Sequence, residues 1–145
     1  MNSLEDSLFK LKAASRKLTS LSTTSRNAVL ISLADRLIAS EREILEANEN
    51  DLKCLDPSTS AAFRDRLTLN TQRIHAMAVS LRAVAALPDP IGEVVDSRTL
   101  PNGLKARRIR SPLGTLLMIF EARPNVISEV FALAFKTGNG IALRG

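Results

Sequence analysis

Five consecutive residues, Glu121-Ala122-Arg123-Pro124-Asn125, place a carboxylate, a guanidinium and a carboxamide within one short loop. Such a set can carry a proton, grip an anion and steady a developing oxyanion, provided the backbone holds it still. The loop follows Thr115-Leu116-Leu117-Met118-Ile119-Phe120, an unbroken run that reads as a strand buried on both faces. It leads into residues 126–136, which read as a helix. A loop that leaves the carboxyl end of a parallel strand for a helix is where open α/β sheets bind ligands. Asn125 then admits two readings of equal weight. Its side-chain amide donates to an oxyanion, or its side chain caps the helix N-terminus.

Other reactive residue types are isolated. Cys54 follows Lys53 but has no histidine near it in sequence, so an idle thiol is the expectation. His75 lies beside Ile74 on an apolar helical stripe and reads as a histidine at the edge of the core. A single histidine completes no triad within these residues, and one Cys with one His makes no zinc cluster. Gly138-Asn139-Gly140 follows a helix and precedes a strand, which suits a left-handed helix C-cap rather than a phosphate cradle. Lys105, Arg107, Arg108 and Arg110 alternate between two faces of a strand, so they form no single anion stripe. They read as an exposed hairpin whose charges guard its edge.

The elements that must position the loop follow from periodicity and punctuation. Residues 1–87 read as helical. An amphipathic stretch over 3–20 carries Leu4, Phe9, Leu11 and Leu18; a second over 25–47 carries Leu30, Leu33, Leu37, Ile44 and Leu45. Asp56-Pro57-Ser58 marks a loop, and Asn70 caps a helix bearing Ile74, Met77, Ala78, Leu81, Val84 and Ala85 that ends before Pro88. Over residues 91–110 two strands, 91–97 and 104–110, flank a turn at Pro101-Asn102-Gly103. Residues 113–145 then read as strand, loop, helix, glycine turn and strand, the start of a parallel βαβ arrangement. The class is α/β. Two parallel strands and one crossover leave a sheet unfinished, so a truncated α/β protein is expected.

Composition narrows the functional classes. Of 145 residues 45% are apolar, which suffices for a core. The net charge of +5 arises entirely after residue 100, where seven basic residues face two acidic ones; before it, 13 face 13. Nucleic-acid binding would call for aromatic stacking partners, yet Trp and Tyr are absent and only five Phe occur. The longest uncharged run, residues 111–120, is far below the ~18 apolar residues of a spanning helix. The acidic start Met1-Asn2-Ser3-Leu4-Glu5-Asp6 introduces no signal region. A cytoplasmic protein with neither membrane nor nucleic-acid partners is expected.

Specific residues also carry a family resemblance. Pro112-Leu113-Gly114, Phe120-Glu121-Ala122-Arg123-Pro124-Asn125-Val126, Lys136-Thr137-Gly138-Asn139 and Leu143-Arg144-Gly145 together resemble the gamma-glutamyl phosphate reductases. These are glutamate-5-semialdehyde dehydrogenases of the aldehyde dehydrogenase superfamily. Ala47-Asn48 with Asp51, Asp65-Arg66-Leu67 and Asp89-Pro90-Ile91-Gly92 extend the match over nearly the whole chain. The resemblance implies an NADP-dependent acyl-phosphate reductase of proline biosynthesis that converts gamma-glutamyl phosphate to glutamate 5-semialdehyde with NADPH. It implies that Asn125 is the catalytic oxyanion donor, that Ala122, Arg123 and Pro124 line the nicotinamide side, and that Arg144 grips the cofactor's 2′-phosphate. It further implies a homo-oligomer and an N-terminal portion, inactive alone, of a cofactor-binding domain. Cys54 does not match the family's nucleophilic cysteine, which is expected outside these residues. Gly140 departs from the family, where a small non-glycine residue is usual, and is expected only to soften the start of its strand. A non-catalytic assembly module of the same fold is the alternative expectation.

Overall fold

The computed structural model describes residues 3–121 and 123–144. Helix α1, Ser3–Leu18, carries Glu5 and Asp6 in its first turn and Arg16 and Lys17 in its last, complementing the helix dipole. Helix α2, Thr23–Ala39, starts at Ser22, whose Oγ accepts from the Ser25 N–H at 3.1 Å. Helix α3, Glu41–Lys53, follows at once. The single helix expected over residues 25–47 is therefore two. Ser40 leaves helical geometry at φ −96°, ψ 13°, and its N–H closes α2 on the Arg36 carbonyl at 2.9 Å. Leu37 and Ile38 before the break and Ile44 and Leu45 after it are all half-buried, so the apolar spacing runs across it unbroken.

The Asp56-Pro57-Ser58 loop is present, with Asp56 Oδ1 accepting from the Ser58 N–H at 2.7 Å. An unforeseen short helix α4, Ala61–Leu67, comes next, capped by Ser60. Seven residues are too few for a readable periodicity. Helix α5, Thr71–Ala86, begins as expected at Asn70, whose Oδ1 accepts from the Arg73 N–H at 2.8 Å. His75 is more exposed than expected: its Nε2 lies 3.2 Å from Glu41 Oε2 and ties α5 to the start of α3.

The chain continues as β1 (Val94–Thr99), β2 (Lys105–Ile109), β3 (Thr115–Ile119), α6 (Pro124–Lys136) and β4 (Gly140–Arg144). Strands β1 and β2 form an antiparallel hairpin with a register shift between Val94 and Asp96. Backbone bonds from Gly92 to Arg110 and from Arg110 to Glu93 carry the pairing back towards Ile91. The hairpin is exposed, as its charges suggested. Strands β3 and β4 pair in parallel, from Thr115 opposite Gly140 to Ile119 opposite Arg144. The apolar run of residues 115–120, of the kind that parallel strands bury on both faces, is exposed here, as an unfinished sheet leaves it: Leu117 is 67% and Ile119 68% exposed. Burial of a parallel strand comes from neighbouring strands and from helices on both faces, and among the described residues β3 has one strand neighbour.

The core lies between helices. Leu30 and Ala34 of α2, Ala78, Leu81 and Ala85 of α5 and Ala132 of α6 are buried together. Four of these six are alanines, which let the helix backbones approach closely, and Phe131 stacks on Phe135 at 5.4 Å beside them. Burying a leucine such as Leu30 or Leu81 contributes about 1.5–3 kcal/mol. Two buried cations fasten this layer to the rest. Arg26 pairs with Asp89, which also accepts from the Thr23 hydroxyl and from the Ile91 N–H at 3.0 Å. Burial pushes the Asp89 pKa up, but the Thr23 and Ile91 donors and the Arg26 guanidinium outweigh it and hold it below the usual aspartate value. Lys136 Nζ donates to Asn27 Oδ1 at 2.6 Å and to the Ala85 carbonyl at 2.9 Å.

The glycine turn after α6 is the expected C-cap. Gly138 has φ +73°, its N–H bonds the Phe135 carbonyl at 3.0 Å, and the Asn139 N–H bonds that of Ala134 at 2.8 Å. Both bonds of a Schellman ending are thus made. Buried Asn139 then accepts from the Gly114 N–H at 2.8 Å and so fixes the start of β3 against the start of β4. The reading of Gly140 needs correction. A Cβ there would lie 2.8 Å from Ser15 Cβ and 3.2 Å from Leu11 Cδ1, so α1 sits directly on this glycine.

Candidate active site

Strand β3 delivers the chain to residues 121–125 at its carboxyl end, where the Phe120 N–H donates to the Arg144 carbonyl at 2.9 Å. Arg123 is extended (φ −138°, ψ 107°) and occupies the cap position of α6 without a side-chain capping bond. Pro124 takes the first helical position, where a fixed φ and a missing N–H suit the helix start. Asn125 is therefore the second residue of the helix, not its cap. That removes the capping role from the two readings its sequence position allowed.

The Asn125 side chain is half-buried, and its Nδ2 donates to Glu129 Oε1 at 3.3 Å, one turn along. A carboxylate only accepts, so Glu129 decides which end of the carboxamide faces it. One amide hydrogen is spent on that bond and a second remains on the same nitrogen. The Ser128 hydroxyl donates to the Asn125 carbonyl at 3.0 Å and holds this first turn. No acidic side chain occupies the first turn of α6, so its positive end is not offset from within the helix start.

Two clefts meet at this loop. One of about 350 Å³ lies between α6 and the α4–α5 region, and Arg123, Pro124, Asn125 and Glu129 form one side of it. Asp65, Arg66, Thr68, Arg73 and Met77 form the other. The second cleft, of about 520 Å³, lies at the carboxyl ends of β3 and β4. Phe120, Leu143 and Ile127 give it apolar walls, with Asn48 and Asp51 of α3 opposite. Arg123 and Pro124 border both. Asn48 braces the partition between the clefts: its Nδ2 donates to the Leu67 carbonyl at 2.8 Å and its Oδ1 accepts from the Leu69 N–H at 2.7 Å.

Of the other residues singled out in the sequence, Arg144 is exposed at the end of β4, and Ala122 lies outside the described residues. Cys54 is exposed at the end of α3 and borders neither cleft. Glu129 and Arg66 were not singled out as site residues. For Glu129 the signal was legible, since a side chain four residues beyond Asn125 on a helix shares its face. Arg66 reaches the loop only through the fold, its Nη1 standing 3.5 Å from Glu121 Oε2. Among the described residues no group of three or more His, Cys, Asp or Glu is placed to hold a metal. Nor is any helix among them long and apolar enough to cross a membrane.

A helical layer packed on a parallel βαβ arrangement defines an α/β protein, and the polar loop at the carboxyl end of its first strand stands where open α/β sheets bind ligands. Within that class the relatives are specific. The chain is 50% identical over 143 residues to gamma-glutamyl phosphate reductase of Leptospira interrogans, covering 98% of the chain and 34% of that protein. It is 47% identical over 136 residues to that of Rhizobium johnstonii, covering 93% and 32%. The gamma-glutamyl phosphate reductase crystal structure from Thermotoga maritima superposes with a TM-score of 0.94 at 38% identity, over 99% of this chain and 35% of that one. The Saccharomyces cerevisiae enzyme gives 0.93 at 33% identity, over 100% and 37%. No protein-family profile matches the chain. By sequence and by fold the chain is thus a homologue of gamma-glutamyl phosphate reductase, and it spans about a third of the length of the curated relatives it matches.

Proposed function

We propose that the chain is the N-terminal portion of a cytoplasmic, NADP-dependent reductase that converts gamma-glutamyl phosphate to glutamate 5-semialdehyde in proline biosynthesis. The observation that carries this reading is 47–50% identity to proteins of that name over 93–98% of the chain. Identity at that level spans the loop, the glycine turn and the helices that brace them. Residues 1–145 then contribute to the cofactor-binding domain: helices up to residue 87, the hairpin of 91–110 and the opening βαβ of 113–145. The exposed apolar residues Leu117 and Ile119 of β3 suit further packing within that domain, and assembly as a homo-oligomer belongs to the same reading.

Each named residue has a chemical task. Displacement of phosphate from an acyl phosphate by a thiolate puts negative charge on the acyl oxygen. The remaining amide hydrogen of Asn125, steadied through Glu129, is suited to meet it without reorganisation. The thiolate belongs to a cysteine outside these residues, since Cys54 borders neither cleft. The cofactor, when bound, supplies the hydride that reduces the resulting thioester. The fit of the larger cleft to a nucleotide rests on its apolar walls of Phe120, Leu143 and Ile127 at the carboxyl ends of parallel strands. Arg123 and Pro124 border that cleft and are assigned to the nicotinamide side, a role the family resemblance extends to Ala122. Arg144 is exposed at the end of β4, where its planar fork suits a 2′-phosphate and so selects NADP over NAD.

The test is phosphate-dependent reduction of NADP by glutamate 5-semialdehyde, assayed with the complete protein and with the 145-residue chain alone. Turnover by the complete protein and background by the chain alone are expected. Absence of turnover by the complete protein overturns the reading, and so does turnover by the short chain that Cys54→Ser abolishes.

A further inference from the structure

The 350 Å³ cleft contains two arginines from one short stretch of chain, and they differ in how they are committed. Arg73 is engaged through both terminal nitrogens. Its Nη1 donates to the Asp65 and Thr68 carbonyls, each at 2.5 Å, and its Nη2 donates to Asp65 Oδ1 at 2.9 Å. Those bonds lock the end of α4 and the turn after it. Arg66 sits at that locked helix end, yet its side chain makes no hydrogen bond among the described residues. Its one ion-pair partner among them is Glu121, 3.5 Å away and itself largely exposed. Across the same cleft stand Asn125 and the free Arg123. A guanidinium held on a rigid support with its donors unspent is arranged to receive a planar or tetrahedral oxyanion.

We propose that this cleft is the acyl-substrate side of the site and that Arg66 is a specificity-determining residue that binds an oxyanion of the substrate. The proposal deepens the reductase reading and rests on it. The volume suits a small, multiply charged molecule, and ligand sites begin at about 300 Å³. With Asp65 paired to Arg73, the cleft presents the guanidiniums of Arg66 and Arg123 on its lining, the Arg66 charge shared with the exposed Glu121 and the Glu129 carboxylate turned to Asn125, so an anion has two cationic forks to meet. Glu121 beside Arg66 adds an acceptor for an ammonium group, which matches the zwitterionic end of an α-amino acid. A substrate with a carboxylate at one end and a phosphoryl group at the other offers two oxyanions, and both would use the same fork.

Kinetics in the reverse direction separate the two, because glutamate 5-semialdehyde brings the carboxylate and inorganic phosphate is a separate reactant. The complete enzyme is assayed as wild type, Arg66→Gln and Arg66→Lys, with thermal unfolding of each. Loss of a charged hydrogen bond should raise one KM about 10- to 100-fold, with kcat changed far less. A rise for the semialdehyde assigns Arg66 to the carboxylate, and a rise for phosphate assigns it to the phosphoryl group. Lysine should recover only part of the loss, because it lacks the fork. As a readout without turnover, calorimetric binding of L-glutamate or inorganic phosphate should weaken in the same variant. An active wild type whose Arg66→Gln variant keeps both KM values and both affinities overturns the proposal. An inactive wild type overturns the reductase reading instead. Should Arg66→Gln lower the unfolding temperature as much as Arg73→Gln does, with both KM values unchanged, Arg66 is structural and the proposal is wrong.

Discussion

Gly138 stands where two demands coincide, and substituting it by alanine separates them. The residue adopts φ +73°, and a Cβ built there would lie 2.8 Å from Ile91 Cδ1 and 2.9 Å from Pro112 Cγ. The left-handed backbone alone costs an L-residue about 1–2 kcal/mol. The Ile91 contact is with the end of a flexible side chain and can rotate away. Pro112 is a ring tied to the backbone just before β3 and cannot, so overpacking adds about 1–3 kcal/mol. Gly138→Ala should therefore destabilise by about 2–5 kcal/mol, a large share of the usual 5–15 kcal/mol of a domain. Urea unfolding of the wild type and of Gly138→Ala measures the total. The same pair in a Pro112→Ala background, where the ring is gone, should show only the backbone part, about 1–2 kcal/mol. A loss below about 0.5 kcal/mol would refute the left-handed requirement, and equal losses in both backgrounds would refute the clash with Pro112.

Three further outcomes are expected. Asn125→Ala in the complete enzyme should lower kcat by about 10²–10³-fold with little change in unfolding temperature, because the residue does not cap α6; near-normal kcat would rule out its oxyanion role. Gly140→Ala should destabilise by about 1–3 kcal/mol through contact with Ser15, and a double-mutant cycle with Ser15→Gly should recover part of it, whereas zero coupling would contradict the close approach of α1. Asp89 ionises below its ordinary value when folded, so its contribution is present above the unfolded pKa and is lost as pH falls through the lower folded one. Acid unfolding curves should then show a shallower decline below about pH 4 for Asp89→Asn, which is also less stable at neutral pH; parallel acid limbs would contradict the depressed pKa.

Much of this architecture is local, and local features are legible. Asn70 caps α5 because a side-chain oxygen three residues before a free N–H needs nothing distant. The Schellman turn at Gly138 is likewise set by one left-handed residue after a helix. The α/β class, the hairpin and the loop at the end of β3 follow from the same short-range grammar, as does the position of Asn125 beside a helix start. The break at Ser40 was hidden because apolar spacing continues across it, and α4 because it is too short to show a period.

The tertiary structure decided what sequence spacing could not reach. Pro124 at the first helical position moved Asn125 inside α6 and gave its amide to Glu129. Gly140 is required by α1, whose contact lies 125 positions earlier in the chain than the strand it touches. Arg66 and Arg73 carry the same charge seven positions apart, yet the folded turn gathers Asp65 and two carbonyls around Arg73 and leaves Arg66, on the cleft it shares with Asn125, facing only the exposed Glu121 among the described residues. Periodicity reports which side of an element is apolar. Which polar group is already satisfied depends on neighbours brought from elsewhere, and here that distinction separates an arginine hydrogen-bonded to three acceptors from one held only by an exposed ion pair.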